Sequence, residues 1–203
     1  MSHPTIRTIA GAPAPASIDA SSTALLVIDF QNEYFNGKLP IPDGKAALGN
    51  AQRLIAHADQ AKIPVFHIQH VTPAGSPVFA DQSPTGEFHE DLQPAPHHKV
   101  VRKSSVSAFP TTNLDEQLKA AGVKTLVITG LMTHACVAGA ARDAVPLGYQ
   151  VIVAEDACAT RDLDRGDGSV VRHDSLHQAA LGSIEDTFGD VLTTEQVLKL
   201  PVV

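Results

Sequence analysis

The stretch Thr125-Leu-Val-Ile-Thr-Gly-Leu-Met-Thr-His-Ala-Cys-Val-Ala-Gly-Ala-Ala141 decides how the rest of the chain is read. Thr125–Ile128 is a short β-branched apolar run, the pattern of a strand buried on both faces. Gly130 closes that run, and a small-residue helical pattern starts near Thr133 and passes through Ala135, Val137, Ala138, Ala140 and Ala141. Cys136 therefore falls in the first turn of a helix that follows a buried strand. Unpaired backbone N–H groups and the positive end of the helix dipole favour a thiolate there and can cradle a developing oxyanion.

Outward from this unit the same grammar repeats. Ala24–Asp29 reads as a buried strand ending in a carboxylate, and a helical pattern covers about 44–62. Ile63–Ile68 is a second strand, with Pro64 at its permissive start. Lys99–Lys103 is a third, ending in a lysine. A helix near Leu114–Ala121 closes at Gly122, Tyr149–Ala154 is a fifth strand, and Asp190–Leu192 a short sixth. Between the fifth and sixth, Glu155–Gly168 reads as a polar loop and 169–184 as a helix. Thr193 and Gln196 have capping-box spacing for a last helix. The segment Val71–Pro96 carries five prolines and little periodicity, the character of a binding loop or lid. Residues 1–22, rich in Pro, Ala and Ser, read as an arm on a single domain spanning 23–203.

Strands alternating with helices specify βαβ units and a parallel α/β sheet with helices on both faces. Ligands bind such sheets beyond the carboxyl ends of the strands, where strand order reverses. Asp29, Lys103 and Cys136 all stand at such ends. Singly, each has a plain reading: an inert buried thiol, a turn acceptor, a solvated strand end. Together they supply a nucleophile, a proton acceptor and a cation.

Composition narrows the partners. The chain has 203 residues, 43% hydrophobic and 18% charged, with a net charge of −7. No basic cluster exceeds Arg102-Lys103 and there is no Trp, which argues against nucleic acid. Two cysteines cannot build a disulfide framework, and no apolar run reaches membrane-span length, so a cytoplasmic protein with no membrane partner is expected.

The motifs LLVIDFQNEYF around Asp29, VVRKSSVSAF around Lys103 and VITGLMTHACV around Cys136 resemble the isochorismatase-like cysteine hydrolase family, in the family's order and over about residues 23–195. The resemblance implies a doubly wound, three-layer, six-stranded parallel sheet of order 3-2-1-4-5-6. It implies a triad of Asp29, Lys103 and Cys136, a cis Leu131–Met132 peptide, and an oxyanion hole from the amides of Ala135 and Cys136. It further implies acyl transfer to Cys136 from a small amide, carbamoyl or ureido substrate, no cofactor, and a homo-oligomer, dimer or tetramer. Two departures matter. The Trp-containing metal element of nicotinamidases is missing, and His67 and His70 would point to opposite faces of one strand, so no metal is expected. Isochorismatases proper cleave a vinyl ether without the cysteine. A vinyl-ether hydrolase using Asp29 alone, or a silent binding module, stays open as the alternative. Phe30, Phe35, Phe109 and His134 are candidate pocket residues. Gln31 reads as a backbone partner, Cys158 as structural, and His173 with His177 as a helix face.

Overall fold

In a computed structural model, which describes residues 3–203, six parallel strands form the central sheet. They are β1 (Thr23–Ile28), β2 (Val65–His70), β3 (Lys99–Lys103), β4 (Thr125–Leu131), β5 (Gln150–Ala159) and β8 (Asp190–Leu192), in the order β3-β2-β1-β4-β5-β8. This is the expected 3-2-1-4-5-6 order, since β6 (Leu163–Asp164) and β7 (Val170–Val171) form a separate antiparallel hairpin. The order reverses between β1 and β4, which places a crevice at their carboxyl ends.

Both faces of the sheet are covered, and β1 displays why its sequence is apolar throughout. Ala24, Leu26 and Ile28 enter one core cluster, with Leu114 and Leu118 of α3 (Leu114–Ala120), Ala140 and Ala141 of α4 (Ala138–Ala144) and Ile184 of α5 (His173–Thr187). Leu25 and Val27 enter the other, with Ala47, Ala51 and Leu54 of α2 (Gly44–Ala61) and Val197 of α6 (Thr194–Lys199). Period-2 alternation thus feeds two cores at once. Thr193 and Gln196 form the reciprocal capping box, Gln196 N–H donating to Thr193 Oγ1 and Thr193 N–H to Gln196 Oε1. Of the arm expected over residues 1–22, residues 1 and 2 lie outside the described residues; the rest is tied down by the Arg7–Asp190 ion pair at 2.7 Å and by Ile18, which is buried and bridges Val202. α1 (Ile6–Ile9) lies against α5.

Several element boundaries differ from the sequence reading. β4 does not stop at Gly130 but runs through it, because glycine at φ 154° lets the chain press against β1; a Cβ there would lie 2.5 Å from Ile28 O. The register with β5 shifts at this point, and β5 continues through Ala157, Cys158 and Ala159, so the polar loop starts later than expected. Thr129 Oγ1 donates to Ala157 O across the shift. The helix expected from Thr133 opens instead as a π-helical turn, Thr133–Val137, and α4 ends at Ala144, ahead of the Val145-Pro146 step. α5 starts at His173 rather than near 169, since the hairpin uses the intervening residues.

Candidate active site

Asp29, Lys103 and Cys136 converge at the crevice. Asp29 follows β1 with φ 55°, a left-handed conformation uncommon for a residue with a side chain. Lys103 closes β3 and is held by β2 pairing, His70 opposite Lys103. Cys136 lies in the π-turn after β4. Lys103 Nζ is 2.8 Å from Asp29 Oδ2 and 3.4 Å from Cys136 Sγ. Asp29 and Lys103 side chains have no exposed surface, and Cys136 is 5% exposed.

The state of each group follows from burial. The Asp29–Lys103 approach is close but lacks hydrogen-bond geometry, so both carboxylate oxygens are buried without accepting a hydrogen bond. The ion pair with Lys103 holds the carboxylate beside the thiol. Burial first, then the Asp29 charge, pushes the Cys136 thiol up to about 12, against the downward pull of Lys103. The thiolate expected from the helix-start position is thus not favoured at rest. Desolvation outweighs a short π-turn.

A fourth group belongs here. His70 Nδ1 is 2.9 Å from Lys103 Nζ, and one donor atom each of Asp29, His70 and Cys136 lies within 4.8 Å of the others. The sequence reading weighed His70 only as a metal ligand with His67. As expected, the two rings face opposite ways: His67 Nε2 meets His98 Nδ1 at 3.1 Å. What marked His70 was its place at the end of β2, beside the lysine that ends β3.

Among the described residues, two clusters have spacings that suit a cation. Among Asp29, His70 and Cys136 the Lys103 ammonium already occupies the centre. In the second, Asp59 Oδ1 lies 2.9 Å from both His97 Nε2 and His98 Nε2. Ala95 N–H donates to His98 Nδ1, which puts the His98 proton on Nε2, facing Asp59.

The Leu131–Met132 peptide is cis. Ala135 N–H donates to Met132 O at 3.1 Å, so it can serve an oxyanion only by sharing or releasing that bond. The aromatic pocket candidates fare differently. Phe30 has no exposed surface and belongs to the core beside α2. Phe109 is buried, stacks on Tyr149, and borders a cavity of about 500 Å³ that none of Asp29, Lys103 and Cys136 lines. Both are better described as core, because an aromatic beside a strand end finds apolar partners on the sheet face before it finds solvent. Phe35 packs on the His89 ring at 4.3 Å. His134 Nδ1 pairs with Thr160 Oγ1 at 2.6 Å, anchoring the turn to the end of β5.

Gln31 is fully buried and bonds main chain only. Its amide donates to His70 O and Gly86 O and accepts from His70 N. With Gln69, which also donates to Gly86 O, it fastens the 71–96 segment over the crevice. Cys158 sits inside β5, a buried thiol that burial pushes up to about 12. His177 Nδ1 pairs with Thr133 Oγ1 at 2.8 Å and His173 Nδ1 with Asp162 at 2.6 Å, so both serve to seat the first turns of α5.

Comparison with known proteins agrees with the fold. The Isochorismatase domain family matches residues 23–196. An uncharacterized isochorismatase family protein, YddQ of Bacillus subtilis, is 39% identical over 180 residues, 88% of this chain and 99% of that one. A maleamate amidohydrolase of Pseudomonas putida is 31% identical over 192 residues, covering 87% and 85%. The crystal structure of an isochorismatase from Pseudomonas putida superposes with a TM-score of 0.89 at 32% identity, covering 97% and 100%. No helix among the described residues is long and apolar enough to cross a membrane.

Proposed function

Because the chain belongs to the isochorismatase family of hydrolases, we propose that it is a cysteine amidohydrolase cleaving the C–N bond of a small amide, carbamoyl or ureido compound. One observation carries this reading: a buried thiol, a buried ammonium 3.4 Å from it, and a buried carboxylate with no hydrogen bond of its own. The likeness to a maleamate amidohydrolase supports it.

In this mechanism Asp29 takes the Cys136 proton as Sγ bonds to the substrate carbonyl carbon. A thiol pushed up to about 12 holds almost no thiolate at neutral pH, so proton transfer and attack are coupled. The oxyanion is stabilised by the Cys136 amide and by Ala135 N–H as it shares its bond to Met132 O. Asp29 returns the proton to the leaving nitrogen as the C–N bond breaks. It then takes a proton from water, whose oxygen bonds to the thioester carbon; the C–S bond breaks and the sulfur recovers its proton. Lys103 balances whichever neighbour carries the negative charge.

The test is ammonia release from maleamate, ureidoacrylate, carbamoyl amino acids, biuret and nicotinamide, with Cys136→Ala beside the native enzyme. Loss of turnover by about 10³-fold or more is expected. Undiminished turnover in the variant removes Cys136 as the nucleophile and overturns this mechanism.

A further inference from the structure

An ammonium has three N–H donors and no lone pair. Lys103 Nζ has three hydrogen-bond acceptors, His70 Nδ1 at 2.9 Å, Ser105 O at 3.1 Å and Cys136 Sγ at 3.4 Å, with Asp29 Oδ2 beside it at 2.8 Å as its ion-pair partner. Facing a group that only donates, His70 Nδ1 must be the bare nitrogen, which puts the proton of the neutral ring on Nε2. A doubly protonated ring would set N–H against N–H at 2.9 Å.

We propose that His70 is a positioning residue for Lys103: its bare Nδ1 completes the triangle of acceptors that fixes the ammonium between Asp29 and Cys136, and protonation of the ring dismantles that triangle. The inference rests on the amidohydrolase reading for its catalytic meaning, though the geometry is independent of substrate. The charged and titratable groups facing the ring are Lys103 from β3, Asp29 from the end of β1 and Cys136 from the turn after β4. From the 71–96 segment it meets the Phe79 ring, 5.0 Å away. Burial, then Lys103, holds His70 below the usual imidazole value, with Asp29 and the Ser105 carbonyl opposing. The acid limb of the site is therefore expected below about 6.5, the ordinary imidazole value.

His70→Asn and His70→Leu separate the roles. Asparagine carries an oxygen acceptor on Cγ, where the imidazole has Nδ1, and does not titrate; leucine removes the acceptor at similar bulk. The probe is iodoacetamide, with labelling of Cys136 followed by peptide mass spectrometry as a function of pH, beside kcat and KM on any amide that is turned over. In the native protein, labelling falls with an inflection below about 6.5. His70→Leu is expected to slow labelling and kcat by about tenfold or more, the scale of one charge-assisted hydrogen bond, with KM little changed. His70→Asn is expected to restore most of that rate without the inflection. Native rates in His70→Leu, or a persisting inflection in His70→Asn, overturn the proposal. If His70→Leu does not fold, the inflection in His70→Asn decides alone. If no amide is turned over but the labelling pattern holds, the amidohydrolase reading fails while the role of His70 stands.

Discussion

The adjacent strands β2 and β3 carry a polar cluster at each end, built from overlapping residue types. At the carboxyl end stand Asp29, His70, Lys103 and Cys136; towards the amino end stand Asp59, His67, His97 and His98. The amino-end carboxylate accepts from two imidazoles on one oxygen, and it is partly exposed. Burial alone would raise Asp59, yet those two hydrogen bonds carry it below the usual carboxylate value. The carboxyl-end carboxylate is fully buried, accepts no hydrogen bond, and lies against a thiol. Residue type does not separate a reactive cluster from a structural clasp. Burial does, with an ammonium and a thiol beside the carboxylate in place of imidazole donors.

The sharpest way to break this contrast is to neutralise each carboxylate in turn. Asp29→Asn is expected to lower turnover by about 10³-fold, since an amide cannot accept the thiol proton, whereas Asp59→Asn should stay within about twofold. Equal losses in an ammonia-release assay would remove the distinction. Stability gives the next largest effect. Asp29→Ala strands the buried Lys103 charge at a cost of about 3–5 kcal/mol, while Asp59→Ala costs no more than about 1 kcal/mol; urea unfolding at pH 7 compares the two.

The third test uses pH. Burial, then the neighbouring His98, lowers His67 to about 4, and its Nδ1 has no partner. An unfolded chain takes up that proton near pH 6.5. Between those values the unfolded state binds more protons, so this contribution is intact above 6.5 and drains as pH falls towards 4, by at most about 3 kcal/mol. His67→Leu should flatten the dependence of the urea midpoint over that window. It should leave the acid limb of Cys136 labelling in place, which His70→Asn should remove. A shared response would mean that the two ends are one coupled network.

The strands and the placing of Asp29, Lys103 and Cys136 at their carboxyl ends were legible because apolar runs, punctuation by Gly and Pro, and chemistry-bearing residues at strand ends are local signals; the strand order came from the family resemblance. What escaped was set by packing between distant segments. Gly130 reads as a strand terminator until β1 is placed against it; only then does its φ of 154° prolong β4 and, through the shifted register, β5. Phe30 and Phe109 read as pocket walls because their neighbours in sequence are catalytic candidates, but the sheet face they enter is fixed by the two cores. His70 was hidden for the same reason, since only the β2–β3 register sets it opposite Lys103.

The fastening of the 71–96 segment has an evolutionary consequence. Five of its links to the site region end on main-chain atoms of the segment: the Gly86 carbonyl under the Gln31 and Gln69 amides, the Thr85 and Glu87 carbonyls under Glu33 and Asn32 N–H, and His89 N–H on Phe30 O. Every residue type except proline offers both groups. The segment can therefore drift through many side-chain repertoires while its attachment stays constant. A fold fastened in this way can exchange the cover above one fixed reaction centre as an interchangeable cassette, and new specificities can be sampled without re-inventing the chemistry beneath.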